Sequence, residues 1–192
     1  MLLRRFAGTT LSLMVLGATL LCLVSCGGGT GGTSGASGGD DDGKLDFLIG
    51  ASGRQAPEFT LETIGGEQVT LSALNGQVRL IDFWATWCAP CREEVPMFKE
   101  LYATYADQGF TIVAIAAEGA DAVREFVESN GIEYPNLVDP DEIVSDLYEV
   151  PALPSAYLVD REGRIVEEFV GPKPRRILEK KIVELLEAKL AT

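Results

Sequence analysis

Val78-Arg79-Leu80-Ile81-Asp82-Phe83-Trp84-Ala85-Thr86-Trp87-Cys88-Ala89-Pro90-Cys91 decides how the rest of the chain reads. The run from Val78 to Trp84 is nearly continuous apolar, the pattern of a strand buried on both faces. After Cys91, the residues Val95, Phe98, Leu101, Tyr102 and Tyr105 fall on one helical face. This predicts a helix from Ala89 to about Asp107, kinked at Pro96. Two cysteines three apart therefore stand at a strand-to-helix junction. The first sits where backbone N–H groups and the helix dipole favour a thiolate, the species that attacks disulfides. Redox exchange is the predicted chemistry.

Other uses of the pair are excluded by what the chain lacks. Its 192 residues contain no histidine, so Ser-His-Asp, Cys-His and ordinary Zn-His sites cannot be built. Only Cys22 and Cys26 accompany Cys88 and Cys91, and both lie near the N-terminus, so no second pair completes a zinc site. No metal and no cofactor is expected. A bridge between residues three apart closes too small a loop to staple a fold.

The N-terminus predicts where the protein works. Met1 to Arg5 is short and basic, Phe6 to Ser25 is apolar and uncharged, and the segment ends Leu23-Val24-Ser25-Cys26. That order is the layout of a secretory signal. The last four residues resemble a bacterial lipobox, which makes residues 1–25 the signal and Cys26 the lipidated first residue. Cys22 fails the same test because bulky Leu21 precedes it. The competing reading is an uncleaved transmembrane helix, since about 20 apolar residues span a bilayer. In both readings Arg4 and Arg5 stay inside and the rest faces outward.

Residues 26–55 are rich in Gly, Ser and Asp and are expected to be a flexible tether, with an end-to-end distance of roughly 30 Å. The formal net charge is −13, and removal of residues 1–25 takes away two arginines and no acid. Such an acidic chain repels nucleic acid and anionic lipid, so the lipid, not charge, would hold it at the membrane.

Residues 56–192 suffice for one α/β domain. Phe59 to Glu62 and Glu67 to Thr70 predict a hairpin around Gly65-Gly66. Phe110 to Ala116 predicts a second buried strand, followed by helices over about 121–129 and 141–148. Ser155 to Asp160 and Arg164 to Val170 predict another hairpin. A last helix carries Ile177, Leu178, Ile182, Leu185 and Leu186.

Phe83 to Cys91 closely resembles the thioredoxin-superfamily active site. Leu153-Pro154-Ser155, just before a predicted strand, resembles the segment holding that family's cis-proline. The leading hairpin, the insert around 118–148 and Cys91-Arg92-Glu93-Glu94 together resemble the TlpA/ResA branch, over about Ala56 to Leu190. The resemblance implies a thioredoxin-like three-layer α/β fold with an N-terminal β-hairpin and a central helical insert. It implies a membrane-anchored extracytoplasmic thiol-disulfide oxidoreductase acting on a disulfide-bearing client protein. An integral membrane thiol carrier would be its electron donor, and some relatives serve cytochrome c biogenesis.

Within that frame Cys88 is the candidate nucleophile and Cys91 the resolving thiol. Trp87, Pro90, Leu153 and Pro154 are candidate substrate-binding residues, with Pro151 a competing turn proline. Resolution needs a group that handles a proton, and without His a carboxylate is the natural choice. Asp82 lies inside the apolar strand, where an acid is costly, though it could point outward. Glu94 is one turn after Cys91, though it could be solvated like Glu93. Glu118 reads either as a groove residue or as a loop acid. Uncharged Ala89-Pro90 between the cysteines favours a reducing couple. Two other readings stay open: a peroxiredoxin-type peroxidase, against which Ala85 stands three before Cys88 where a threonine is usual, and a non-catalytic binding or chaperone module.

Overall fold

Every residue from Val78 to Trp84 is buried, and so is every residue from Phe110 to Ala116. These two stretches form the middle of a sheet covered on both sides. The computed structural model describes residues 53–188. The expected signal segment, Cys26 and the tether as far as residue 52 lie outside the described residues.

In chain order the elements are β1 (Arg54–Gln55), β2 (Thr60–Thr63), β3 (Gln68–Thr70), β4 (Val78–Trp84) and α1 (Ala89–Tyr105). Then come β5 (Phe110–Ala116), α2 (Ala120–Asn130), β6 (Asn136–Val138) and α3 (Ile143–Leu147). The described residues end in β7 (Ser155–Val159), β8 (Arg164–Val170) and α4 (Arg175–Glu187). One sheet runs β1-β8-β7-β4-β5-β6-β2-β3. β4, β5 and β6 are parallel, while β7 and β8 return antiparallel on one side and the β2–β3 hairpin extends the other. This is the expected thioredoxin-like α/β architecture, with leading hairpin and central insert.

Alternation along β4 sorts its side chains into two layers. Val78, Leu80 and Trp84 join one core with Val95, Phe98 and Leu101 of α1, Val123 and Val127 of α2, and Leu178, Ile182 and Leu186 of α4. Ile81 and Phe83 join the other with Phe59, Leu71, Val144, Tyr148 and Tyr157. Asp82 shares the face of Leu80 and Trp84, so the pleat points it toward α1. Its register partners on both sides are alanines, Ala114 and Ala156.

Several local features differ from the sequence reading. Arg54 and Gln55, assigned to the tether, pair with β8 as a short edge strand. β6 was not predicted; it is three residues long and follows Pro135. Ile177 is half-exposed rather than inward, because the buried row of α4 is Leu178, Ile182 and Leu186 at four-residue spacing. Arg79, inside the apolar run, is fully buried, and its guanidinium donates to Leu71 O, Asn75 Oδ1 and Asp160 O. α2 stops where Asn130-Gly131 predicts, with Gly131 in the left-handed region at φ 57°.

Candidate active site

β4 carries the chain to a tight turn whose last residue, Cys88, is the N-cap of α1. Pro90 occupies the first turn, where its missing N–H costs nothing. Cys91 N–H donates to Cys88 Sγ at 3.3 Å, so the helix start presents a donor to the first sulfur. Cys88 and Cys91 are joined in a disulfide with S–S 1.96 Å and Cα–Cα 5.3 Å. Both cysteines are buried, whereas Trp87 beside them is 68% exposed.

The turn is held by Glu118, at the end of β5. Its Oε2 accepts from Thr86 Oγ1 at 3.0 Å, and its Oε1 accepts the Thr86 backbone N–H. Cys88 N–H donates to Ala85 O at 3.2 Å. Of the two readings left open for Glu118, the loop acid is the one observed, and its carboxylate is spent on the turn that leads to the cysteines.

The Leu153–Pro154 peptide is cis. Pro154 O accepts Gly171 N–H at 2.8 Å, and Ser155 pairs with Phe83 across β7 and β4. Pro154 therefore directly precedes the strand that pairs with the end of β4. Trp87 and Leu153 line a shallow groove of about 210 Å³, together with Ala117, Val150 and Pro151. Glu142 and Asp146 line it too, and no cationic residue does. Pro154 itself is buried, so Leu153 is the groove residue of that dipeptide.

Beneath the cysteines both candidate acids are buried, at 4% exposure for Asp82 and 6% for Glu94. They meet at a residue that the sequence did not single out, Lys173, in the Gly171-Pro172-Lys173-Pro174 connection between β8 and α4. Lys173 Nζ lies 3.0 Å from Glu94 Oε2 and 2.9 Å from Asp82 Oδ1. Its backbone N–H donates to Glu94 Oε1 at 2.6 Å. Lys173 is the one partner of that Asp82 oxygen among the described residues. Burial is the largest influence on Asp82 and pushes its carboxyl up to about 6; Lys173 opposes the rise and Glu94 adds to it. Burial likewise pushes the nearby Tyr134 phenol up, with Asp82 and Glu94 adding to the rise. No sequence signal pointed to Lys173, since a lysine between two prolines reads as a surface loop.

Comparison with known proteins agrees with this geometry. Residues 52–168 match the AhpC/TSA family. The chain is 35% identical to thiol-disulfide oxidoreductase ResA of Bacillus anthracis over 128 residues, which is 66% of this chain and 74% of that protein. It is 38% identical to ResA of Bacillus subtilis over 122 residues, 63% of this chain and 68% of the relative. Among solved structures, it resembles a candidate thiol:disulfide interchange protein DsbE from Chlorobium tepidum. The TM-score is 0.66 at 34% identity, covering 70% of this chain and 97% of the other.

The buried acid has a consequence for stability. A carboxyl near 6 in the native state, against 3.8 ordinarily, binds its proton more tightly than the unfolded chain does. Its contribution to stability is therefore full at low pH and is lost as pH rises through the folded value. Between about pH 4 and about pH 7 the oxidised wild type should lose on the order of 3 kcal/mol relative to Asp82→Asn. Urea-unfolding midpoints of the two proteins across that range measure it. A wild-type-to-variant difference that stays flat with pH would contradict the assignment.

Proposed function

The chain belongs to the AhpC/TSA family and is a thiol-disulfide oxidoreductase of the ResA/DsbE type, and on that premise we propose that it reduces disulfides in client proteins outside a bacterial membrane. The observation that carries the reading is the Cys88–Cys91 pair at the start of α1, next to Trp87 and the groove that Trp87 and Leu153 line. In the reducing direction, the Cys88 thiolate attacks one sulfur of the client disulfide. A mixed disulfide forms, and the other client sulfur leaves as a thiolate that takes up a proton. Cys91 then loses its proton to a buried carboxylate and attacks Cys88 Sγ. The second client thiol departs, and two electrons have passed to the client. The Cys88–Cys91 disulfide of the structure is the product of that step. An integral membrane thiol carrier would return the pair to the dithiol.

The groove formed by Trp87 and Leu153 suits an extended client segment laid against the cysteines. Neutral Ala89-Pro90 offers no cation to stabilise the Cys88 thiolate, which favours the disulfide and makes the dithiol the better reductant. The lipobox-like Leu23-Val24-Ser25-Cys26 supports anchoring through Cys26 on the extracytoplasmic face, with residues 26–55 as the reach of the tether. Apocytochrome c awaiting haem is one client class consistent with the resemblance. Against a peroxidase stands the pairing of both sulfurs within one helical turn, and Ala85 buried three residues before Cys88.

Cys91→Ser should leave the first attack intact and block the second. Covalent adducts between the variant and its clients should then accumulate, resolve with dithiothreitol, and vanish when Cys88→Ser is added. Full client reduction by Cys88→Ser alone would instead support a non-catalytic module. Turnover of hydrogen peroxide at rates rivalling disulfide exchange would support the peroxidase. Labelled palmitate should enter the wild-type chain and not Cys26→Ser; equal labelling would refute the lipid anchor.

A further inference from the structure

The groove beside the cysteines is one-sided in charge. Trp87, Val150 and Leu153 give it an apolar lining, and all of its charge comes from Glu142 and Asp146. Glu142 is the N-cap of α3 and Asp146 stands four residues on, so one side of that short helix brings both acids to the groove. Asp146 N–H donates to Glu142 O at 2.9 Å, which ties the two to a single turn. Both are exposed, and neither joins an ion pair among the described residues. Between Glu118 and Glu149 the one basic residue is Arg124, whose guanidinium donates to Asp121 and to Ile64 O. The insert itself therefore supplies no cation to this wall. Glu142 is also in the left-handed region, at φ 54°, where glycine or asparagine would sit with less strain. A charged side chain is kept at the groove in spite of that strain.

We propose that the Glu142–Asp146 wall selects client segments that carry a lysine or arginine within a few residues of the disulfide cysteine. The proposal rests on the thiol-disulfide reading above and names the client chemistry within it. Two carboxylates along one side of an apolar groove, with no cation among its lining residues, make a negative potential that an ammonium or guanidinium group complements. Trp87, 68% exposed, adds a second attraction, because a cation is favoured over the face of an indole. Trp87 directly precedes Cys88, so the groove begins next to the attacking residue. A client carboxylate laid in the same place would meet like charges, so acidic segments are disfavoured by the same wall.

The wall acts before the chemistry. It changes how often a client segment enters the groove and how long it stays, while the bonds made and broken between sulfurs are those already described. Its effect therefore belongs to the second-order rate of the first attack and is weakened by salt. The formal net charge of −13 attracts cations to the chain as a whole, so the proposal is specific in a further respect. The preference should depend on Glu142 and Asp146 and not on acids remote from the groove. Glu67, in the β2–β3 turn, and Glu187, at the end of α4, are exposed acids outside its lining.

The test uses the full chain with Cys22 and Cys26 changed to serine, so that only the Cys88–Cys91 pair reacts. The reduced protein is mixed with two synthetic peptides of one sequence, each joined through its single cysteine to mercaptoethanol by a disulfide. They differ only in the residues flanking that cysteine, lysine in one and glutamate in the other. Stopped-flow Trp fluorescence gives the second-order rate for each. The lysine peptide should react on the order of tenfold faster at low ionic strength, and the ratio should narrow to about twofold near 0.5 M salt. Glu142→Gln combined with Asp146→Asn should bring the low-salt ratio to within about twofold, while Glu67→Gln combined with Glu187→Gln should leave it near the wild-type value. Equal rates in the wild type, a faster glutamate peptide, or an equal fall in the ratio with the remote pair of variants would each overturn the proposal. Should the groove variant not fold, the wild-type salt series decides, and a ratio unchanged by salt overturns it. Hydroxyethyl disulfide, which is uncharged, separates the two levels of the account. Its reduction by the wild type keeps the thiol-disulfide reading whatever the peptides show, and failure to reduce it removes that reading and this proposal together.

Discussion

A lysine ammonium with no solvent around it, set between two carboxylates, ties together three parts of the fold: Asp82 on β4, Glu94 on α1 and Lys173 on the β8–α4 connection. Each group alone would be too costly to bury. Desolvating an ion costs several kcal/mol, and removing one member of a buried pair commonly costs about 3–5 kcal/mol because a bare charge is left behind. The cluster therefore constrains its surroundings. Ala114 and Ala156 flank Asp82 on the sheet and leave space where larger side chains would close it. Prolines on both sides of Lys173 restrict the connection that brings it inward. Glu94 is one helical turn after Cys91 on α1, and Asp82 lies on the same face of β4 as Leu80 and Trp84, which pack with α1.

From this hub the redox pair gains its setting. β4 ends at the turn that Glu118 holds through Thr86, and α1 starts at Cys88 with Cys91 N–H aimed at the first sulfur. The outer side is an exposed Trp87 and a groove continued by Leu153 and edged by Glu142 and Asp146. The inner side is dry and ionisable. Disulfide exchange asks for an attacking thiol and a proton acceptor, and Cys88 and the buried carboxylates are the candidates for those two roles.

Much of this was legible in the sequence where a pattern is local. β4 and β5 begin and end at the residues the apolar runs predict, because strands buried on both faces leave unbroken runs. α2 ends at a glycine that can adopt the left-handed conformation. β1 and β6 escaped notice because they are two and three residues long, too short for a periodicity to register. The burial of Asp82 and Glu94 could be suspected from their spacing to Cys88 and Cys91. Which partner they would share could not, since Lys173 is 91 residues from Asp82 and 79 from Glu94 and sits in a proline-bounded loop. The same holds for Glu118 and Thr86, 32 residues apart and brought together by the parallel pairing of β4 with β5.

The proposed direction of electron flow is from the Cys88–Cys91 dithiol to the client. The most direct test is the reduction potential of Cys88–Cys91, measured by equilibrating the chain in glutathione or dithiothreitol buffers and trapping thiols. A value at or below about −230 mV, in the thioredoxin-to-glutaredoxin range, is expected of such a reductant. A value near about −120 mV, that of a strong oxidant, would contradict it and make the protein a donor of disulfides.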